Sequence, residues 1–345
     1  MLILVNYLMK IKKRLFKIFL LILLILCEVF IFLVVDYTKF DNDHVNVIHQ
    51  SVQIKGLPPQ FDGFTILQFS DLHGKRFGNS QEVLTDIINS LDYDAIAITG
   101  DMQDPNTRDI SPLLELIRGI NKKTPMLYVS GNTGPYDTTY VTLMSRYSLD
   151  VSDGIVLPDG KILQKAGCTL LNQPQMIERA GARLWFATDF YPSQSNDTIW
   201  WSQQVLLSTN NPTVRAALNA KIEYQNNLQK EYASILPADT LIGIIHIPLS
   251  YKTLQQPKGL PPYDLVIAGH YHGGQIRLPF LGAVYIPDET LPLRGLFPPQ
   301  ALVSGLYNGN SIQQYVSRGL GAGSQIPFRL FDTPEINLIT LRISE

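Results

Sequence analysis

The sequence has few cysteines and, beyond its N-terminus, a deficit of positive charge. Its two cysteines among 345 residues, Cys27 and Cys168, form neither a disulfide framework nor the cysteine cluster of a zinc knuckle. Residues 36–345 carry 23 Lys and Arg residues against 29 Asp and Glu residues, a net charge of −6. Non-specific nucleic-acid binding needs a positive surface that displaces counterions. We therefore expect no nucleic-acid partner.

One apolar run is long enough to cross a membrane. Residues 18–35 are apolar except for Glu28, and five Lys and Arg residues precede them between residues 10 and 17. A run of this length lies at the lower limit for a membrane-spanning helix. The positive-inside rule predicts a single-pass protein of the cell membrane with a cytoplasmic N-terminus and an extracytoplasmic body. No small-x-small site follows the run, which favours an uncleaved signal anchor over a cleaved signal peptide.

The rest of the chain has no obvious internal boundary. We predict a basic cytoplasmic N-terminus at 1–17, a transmembrane signal anchor at 18–35, a linker at 36–50 and one large domain at 51–345. The segment 150–239 is the least informative and could include a cap. Its residues 213–233 have the pattern of an amphipathic helix. Trp200 and Trp201 fit either a grip on an acyl chain or membrane surface, or the core of such a cap.

Short runs rich in Val, Ile and Leu recur along the body and end in polar residues. Such runs are typical of strands buried on both faces of a sheet. Between the first three runs, apolar residues at helical spacing predict helices near 81–91 and 111–120. This alternation predicts an α/β fold with both faces of the sheet covered. We predict strands at residues 64–69, 95–99, 126–130, 183–187, 241–245 and 265–268.

Five of these strands are followed by residues of metal-binding types. They are Asp71, His73, Asp101, Asn132, His246, His270 and His272. Ligand sites of open α/β sheets lie beyond the carboxyl ends of the strands, so these side chains can converge. Imidazole mixed with carboxylate and carboxamide suits Mn, Fe or Zn better than Ca or Mg. Because the set exceeds what one such ion binds, we expect two divalent transition-metal ions that share a carboxylate.

Each of these residues also has an ordinary interpretation when it is taken alone. An aspartate after a strand commonly stabilises a turn, and a single histidine such as His246 is more often a satisfied core residue. The two histidines of the Gly269–Gly274 segment are harder to explain by packing, because glycines flank them. The metal hypothesis therefore depends on the repetition of the pattern after five separate strands.

The motif series resembles that of the calcineurin-like metallophosphoesterase superfamily. It comprises Asp71-x-His73, Gly100-Asp101, Gly131-Asn132, His246-x-Pro248 and Gly269-His-x-His272-Gly-Gly-Gln275. The N-terminal anchor and the segments 315–321 and 334–338 resemble the membrane-associated bacterial branch. The resemblance extends from about residue 50 to the C-terminus. It implies a four-layer α/β/β/α metallophosphoesterase sandwich over residues 51–345, preceded by one N-terminal transmembrane helix.

The resemblance also implies a division of the seven side chains. It assigns Asp71, His73 and His272 to one metal ion, Asn132, His246 and His270 to the other, and Asp101 to a bridge between them. The family pattern continues Gly-Asn with a histidine that steadies the scissile phosphate or protonates the leaving group, but here Thr133 follows. The residue between the last two histidines is usually Thr or Ser, and here it is Tyr271. The metal ligands are intact, whereas the catalytic acid is unknown.

Together these features predict a metal-dependent hydrolase of a phosphodiester or pyrophosphate bond. Its partners would be the bilayer and a phosphate-ester or lipid-phosphate substrate. UDP-2,3-diacylglucosamine, of lipid A biosynthesis, is one substrate within this branch, although it is cytoplasmic and the charge pattern places the domain outside. The alternative is a metal-loaded binding or sensing protein whose hydrolysis is impaired by Thr133. A metallopeptidase is a third class, disfavoured because the chain has no His-Glu-x-x-His motif.

Overall fold

A computed structural model of the chain describes residues 2–136, 158–188, 192–288, 291–310, 312–323 and 326–344. The chain divides into two compact units, Met1–His44 and Val45–Glu345. The first is a single helix. The second contains two sheets with helices on their outer faces.

The first unit is helix α1, Leu2–Asp43. Its part Ile11–Asp43 is long and apolar enough to cross a membrane, and the most apolar stretch is not buried by the rest of the protein. The helix extends past the predicted span 18–35 in both directions because neither flank contains the glycine or proline that would end it. Residues 36–50, predicted as a linker, instead form the end of α1 and the start of the first strand.

The first sheet has six strands. They are β1 (Asn46–Ile54), β2 (Thr65–Phe69), β3 (Ala95–Thr99), β4 (Met126–Val129), β5 (Thr169–Leu170) and β14 (Glu335–Ile343). Their order is β1-β14-β2-β3-β4-β5. Only β14 and β2 are antiparallel neighbours; the other adjacent strands are parallel. The carboxyl ends of β2, β3 and β4 therefore lie along the same edge.

The second sheet also has six strands, in the order β12-β13-β9-β8-β7-β6. They are β6 (Gln175–Arg179), β7 (Ala182–Ala187), β8 (Thr240–Ile244), β9 (Leu265–Ala268), β12 (Gly305–Asn308) and β13 (Gln313–Val316). The central strands are parallel and the two outer pairs are antiparallel. A separate hairpin joins β10 (Arg277–Leu278) to β11 (Gly282–Ala283).

The helices of the second unit are short except for one adjacent pair. They are α2 (Glu82–Asn89), α3 (Ser111–Gly119), α4 (Pro158–Lys165), α5 (Pro192–Ser208), α6 (Pro212–Ala233), α7 (Tyr251–Gln255) and α8 (Gln300–Val303). Three apolar cores separate the layers. The first packs α2, α3 and α4 on the first sheet, the second fills the space between the sheets, and the third packs α7 and α8 on the second sheet. The predicted four-layer α/β/β/α sandwich is confirmed.

The segment 150–239 is described from residue 158, apart from residues 189–191, and part of it belongs to the sandwich. Strands β5, β6 and β7 within it are members of the two sheets, so among the described residues a cap could comprise only the pair α5 and α6. The predicted helix 213–233 matches α6, whereas the stretch before it forms α5. Trp200 on α5 is 63% exposed, so it is not part of a cap core.

Candidate metal centre

The seven predicted ligands follow β2, β3, β4, β8 and β9, and the structure brings all of them together. Each of the seven side chains lies within 3.7 Å of at least one other member of the set. The first ligand group is Asp71, His73 and His272. The second ligand group is Asn132, His246 and His270.

The first ligand group is a compact cluster of one carboxylate and two imidazoles. His73 Nε2 lies 3.2 Å from His272 Nε2, and His272 Nε2 lies 3.5 Å from Asp71 Oδ1. One ligand atom from each of the three residues lies within 4.8 Å of the others, and all three residues are buried. A single cation can therefore contact all three side chains.

The second ligand group centres on His246. Its Nε2 lies 2.9 Å from Asn132 Oδ1 and 3.2 Å from His270 Nδ1. The two imidazole rings meet edge to face, with centroids 5.0 Å apart. Three nitrogen and oxygen atoms thus converge at the ends of β4, β8 and β9.

Asp101 lies between the two groups. Its Oδ2 is 3.7 Å from His73 Nε2 and 3.4 Å from His246 Nε2, while its Oδ1 accepts a hydrogen bond of 2.8 Å from the Thr133 amide. This is the place that the family resemblance implies for a bridging carboxylate. Asp71 also has a ligand atom within 4.8 Å of those of Asp101 and His246, so it is not confined to the first group.

Five of the seven residues have left-handed backbone, which is uncommon for residues other than glycine. They are Asp71 (φ 53°), His73 (φ 48°), Asp101 (φ 53°), His270 (φ 71°) and His272 (φ 49°). Such strain costs free energy and persists where surrounding structure enforces it, commonly at functional sites. Backbone bonds enforce it here: the amides of Asp71 and His73 donate to the carbonyls of Gly100 and Asp101 at 2.9 and 3.0 Å.

Two motif glycines let the carboxylates approach the backbone. A Cβ on Gly131 would lie 2.0 Å from Asp101 Oδ1, and one on Gly269 would lie 2.5 Å from Asp71 Oδ2. Neither position can hold a side chain while the carboxylates stay in place. The glycines before Asn132 and His270 are therefore part of the centre's geometry.

The hydrogen-bond roles of the histidines favour a cation at the centre. His246 Nδ1 lies 2.8 Å from the Thr99 carbonyl, and His272 Nδ1 lies 3.3 Å from the Gly321 carbonyl. A carbonyl can only accept, so each Nδ1 carries a proton and each Nε2 points into the cluster. The His272 ring is neutral at pH 7, so its Nε2 lone pair faces the Asp71 carboxylate at 3.5 Å. An acceptor that faces an acceptor suits a bound metal ion.

The pKa values divide the histidines into two kinds. Burial lowers the pKa of His73 and of His270 to about 4 and that of His272 to about 3, so these rings are neutral at pH 7. Burial also acts to lower the pKa of His246, but the Asp101 carboxylate outweighs it and raises the value to about 9. Burial opposes the charge of Asp101, yet its bond to His246 holds its pKa below the usual range.

Arg329 supports the first ligand group, and sequence reasoning missed it. The side chain is 1% exposed. Its Nη1 donates to the Gly321 carbonyl at 2.7 Å, the same oxygen that His272 Nδ1 contacts, and its Nη2 donates to Asp332 Oδ2 at 2.5 Å. Arg329 thus fixes the acceptor that orients His272. A single arginine among apolar residues gives no sequence pattern that identifies this role.

The loop at Thr133 shows no side-chain acid among the described residues. Thr133 Oγ1 is buried without a hydrogen-bond partner there, and the Thr133 carbonyl accepts from Gln103. The Tyr271 hydroxyl faces Asp288 at 3.4 Å, and burial raises its pKa, so it is a poor proton donor. The Tyr136 hydroxyl donates to the Asn132 carbonyl at 2.8 Å. Asp137, another candidate acid, lies outside the described residues.

Comparisons with known proteins agree on one family. The family model described as calcineurin-like phosphoesterase matches residues 64–274. An uncharacterized metallophosphoesterase of Bacillus subtilis, YkuE, is 28% identical over 315 residues, 89% of either chain. A transmembrane protein with a metallophosphoesterase domain from Bos taurus is 24% identical over 84% of this chain and 56% of its own. The phosphodiesterase YaeI of Escherichia coli is 34% identical over 80 residues, 23% of this chain and 26% of its own.

Proposed function

The chain belongs to the calcineurin-like phosphoesterase family, and from that premise we propose that it hydrolyses a phosphodiester or pyrophosphate bond with two divalent transition-metal ions. The observation that carries the proposal is the convergence of two ligand groups on either side of Asp101. Mn, Fe and Zn suit this mixture of imidazole, carboxylate and carboxamide. The coarser conclusion, a metallophosphoesterase with candidate metal ligands, follows from the family itself.

The first ligand group would hold one ion, the second ligand group the other, and Asp101 would bridge them. When bound, two such ions supply an activated water and stabilise negative charge on phosphate. The chain's own contribution is to keep the donor atoms in place. The Thr133 amide holds Asp101 Oδ1, which leaves Oδ2 facing His73 and His246. The Thr99 carbonyl holds the His246 ring with its Nε2 toward the cluster.

The choice of bond type rests on the Thr133 loop. A threonine hydroxyl is a poor acid near neutral pH, and a positioned general acid typically contributes about 10²–10⁴-fold. Leaving groups that need no proton, such as aryl oxides and phosphates, would tolerate its absence. A relative that is named a phosphodiesterase is consistent with this class of bond. The proposed substrate is therefore a phosphate diester or pyrophosphate, which includes lipid-linked phosphates.

A second candidate function is a metal-loaded binding or sensing protein. The buried, unpartnered hydroxyl of Thr133 favours it, because this weakly acidic group occupies the place of the family's histidine. The test uses the full-length, metal-loaded protein in detergent with an aryl phosphodiester and a dinucleotide pyrophosphate. Hydrolysis that Asp101→Asn abolishes and Glu115→Gln leaves unchanged supports the enzyme. Glu115 is a suitable control because it pairs with Arg76 outside the centre. If neither substrate is cleaved at full metal content, the binding function replaces the enzyme.

The anchor is the remaining part of the proposal. We propose that α1 spans the cell membrane once, with its N-terminus cytoplasmic and the metallophosphoesterase domain outside, since cations precede the apolar run. Fusions at the C-terminus test this: active alkaline phosphatase with a dark cytoplasmic fluorophore supports export. The relatives described above do not support UDP-2,3-diacylglucosamine as the substrate. The reverse fusion result would overturn the orientation and would make a cytoplasmic nucleotide lipid accessible.

A further inference from the structure

The region after His272 exposes an unusual amount of apolar surface. Six large side chains within residues 280–297 are each at least 44% exposed. They are Phe280, Leu281, Tyr285, Leu293, Leu296 and Phe297, of which Phe280 is fully exposed. Scattered exposed apolar residues are normal, but a contiguous apolar patch indicates an interaction surface. We call residues 276–288 and 291–297 the apolar ribbon.

Backbone hydrogen bonds give the ribbon a defined structure. The β10–β11 hairpin places Phe280 and Leu281 at its turn. A bridge pairs Tyr285 with Leu296, and the Phe297 amide donates to the Val284 carbonyl at 2.7 Å, so three extended segments lie side by side. Their opposite side is anchored, because Ala283 and Ile286 are buried in the third core. The exposed side chains are therefore held outward by a fixed backbone.

The ribbon lies beside the metal centre. It begins four residues after His272, and Arg277 within it donates from Nη1 to the Gly273 carbonyl at 2.8 Å. Gln275, just before it, accepts from the Gly323 amide at 2.6 Å, near the Gly321 carbonyl that His272 contacts. A surface that docks on the ribbon would therefore be close to the candidate metal centre.

We propose that the apolar ribbon docks on the lipid bilayer that α1 spans, so that the catalytic domain contacts the membrane at a second point. The inference rests on the proposed membrane anchor. Only His44 and Val45 separate α1 from β1, and two residues span at most about 7 Å. The apolar run ends at Val35 and α1 continues to Asp43, which adds about 12 Å at 1.5 Å per residue. A helix inserted in a bilayer thus tethers the domain within about 20 Å of that bilayer's surface.

The composition of the ribbon fits a bilayer interface. Aromatic and aliphatic side chains insert between headgroups and acyl chains, and a cation at the rim is attracted to anionic lipid. Exposed Arg294 lies next to exposed Leu293 and supplies that cation. The helical layer on the first sheet provides a comparison site. On α2, a single large apolar side chain, Val83, is exposed, whereas the ribbon exposes six. Docking through the ribbon would also favour substrates that reside in, or at, the bilayer.

The test uses the full-length chain in vesicles that contain phosphatidylglycerol and phosphatidylcholine, with or without a doxyl-labelled phosphatidylcholine as quencher. An environment-sensitive fluorophore is attached to Phe280→Cys or Val83→Cys in a Cys27→Ser background. Cys168 is 5% exposed and does not compete for the label. Native Cys27, labelled in an otherwise unchanged chain, reports insertion of α1. We expect lipid quenching and a blue-shifted emission at position 280, and neither at position 83.

A second reporter guards against an effect of the label. Phe297→Cys should also be quenched by the doxyl lipid, and adding Phe280→Asp should remove this quenching. Quenching at Cys27 and hydrolysis of a soluble aryl diester should be unchanged by Phe280→Asp, because the residue contacts none of the proposed ligands.

The outcomes separate the docking proposal from the anchor. Quenching at Cys27 with equal, low quenching at positions 280 and 83 overturns docking and leaves the anchor in place. Absence of quenching at Cys27 overturns the anchor, and docking on that membrane falls with it. A third outcome is a label at position 280 that is shielded from aqueous iodide but not quenched by the doxyl lipid. If this shielding grows with protein density, a second copy of the chain covers the ribbon, and docking on the bilayer is overturned.

Discussion

The two ligand groups of the metal centre are built differently. All three residues of the first group have left-handed backbone, whereas in the second group only His270 does. His246 lies two residues after the end of β8, and its ring is fixed by a 2.8 Å contact with the Thr99 carbonyl at the end of β3. The second group therefore depends mainly on the ends of rigid strands, and the first on strained loops.

The same difference appears in the contacts that orient the imidazoles. His73 Nδ1 is buried and has no hydrogen-bond partner among the described residues, and His272 Nδ1 reaches the Gly321 carbonyl at 3.3 Å. The first group thus relies on neighbours such as Arg329 that hold the surrounding loops. A centre of this kind should lose its first ion more readily than its second when the supporting structure is altered.

The largest effect is expected from Asp101→Asn, because it removes the contact that the groups share. The metal content of the purified full-length protein, measured by elemental analysis, should fall from about two ions per chain to well below one. The loss of affinity should exceed the roughly 10–100-fold that changes outside the ligand shell cause. A variant that keeps two ions would show that Asp101 is not the bridge and would direct attention to Asp71.

The next largest effect is expected from variants that each remove a ligand from one group and leave the other group intact. His73→Asn should empty the first group and leave about one ion, whereas Asn132→Ala should empty the second group and leave about one ion. Loading with Mn²⁺ and recording the electron paramagnetic resonance spectrum checks this, because coupling between neighbouring ions should vanish in both variants. Retention of the coupled spectrum in either variant would contradict the division of ligands.

Arg329→Lys tests the supporting structure of the first group. Lysine keeps the positive charge beside Asp332 but cannot donate from a planar fork to both Asp332 and the Gly321 carbonyl. We expect the first ion to bind about 10–100-fold more weakly and the second ion to be unaffected. Arg183→Lys, which alters the two-pronged pair with Asp239 elsewhere, is the matched control. Equal weakening of both ions would indicate a general loss of stability.

The pKa values predict that the two groups respond differently to pH. His246, with a pKa of about 9, is protonated at pH 7 and must lose that proton when the second group binds metal. The affinity of the second group should therefore rise by about tenfold per pH unit between pH 7 and 9. His73 and His272 are already neutral, so their rings release no proton at pH 7.

Calorimetric titration in buffers of different ionisation enthalpy measures this proton release. The His73→Asn variant, which retains the second group, should release about one proton per ion. The Asn132→Ala variant should release fewer. Equal release by the two variants would show that the His246 proton does not distinguish the groups.

Thr133→His, on the loop that carries Asn132, has the smallest expected effect. Thr133 Oγ1 is buried, so an imidazole there needs the loop to shift before it reaches a leaving group. We expect the hydrolysis rate to rise by less than about 10²-fold, the lower end of what a well-positioned acid gives. The rise should be larger for alkyl than for aryl diesters. The ratio of the two rates is the measurement, since a general change in metal content would alter both alike.

Much of the fold and the centre follows from local pattern. The six predicted strands are present within about one residue of their expected ends, because Val/Ile-rich runs mark strands buried on both faces. The candidate ligands could be selected because each lies shortly after such a strand. The left-handed backbone at five of these residues could not be predicted from the sequence, because residues such as His73 acquire it from hydrogen bonds to a neighbouring loop.

The rest depends on contacts between distant parts of the chain. The role of Arg329 requires knowledge of which carbonyl it meets, and the sequence around it does not contain that information. The pairing of β1 with β14 joins residues nearly 300 positions apart. The extent of α1 was underestimated because hydropathy marks the apolar span but not where the helix itself ends.

The position of β14 has a consequence for biosynthesis. The final strand is inserted between β1 and β2, so the first sheet has a gap until residues 335–343 have been made. Pairings between such distant segments form slowly, and domains complete their folding as units. The domain therefore remains incompletely folded until β14 has been made. Until that strand emerges, the nascent chain stays unfolded enough to pass through a membrane channel, as the proposed export of the domain would require.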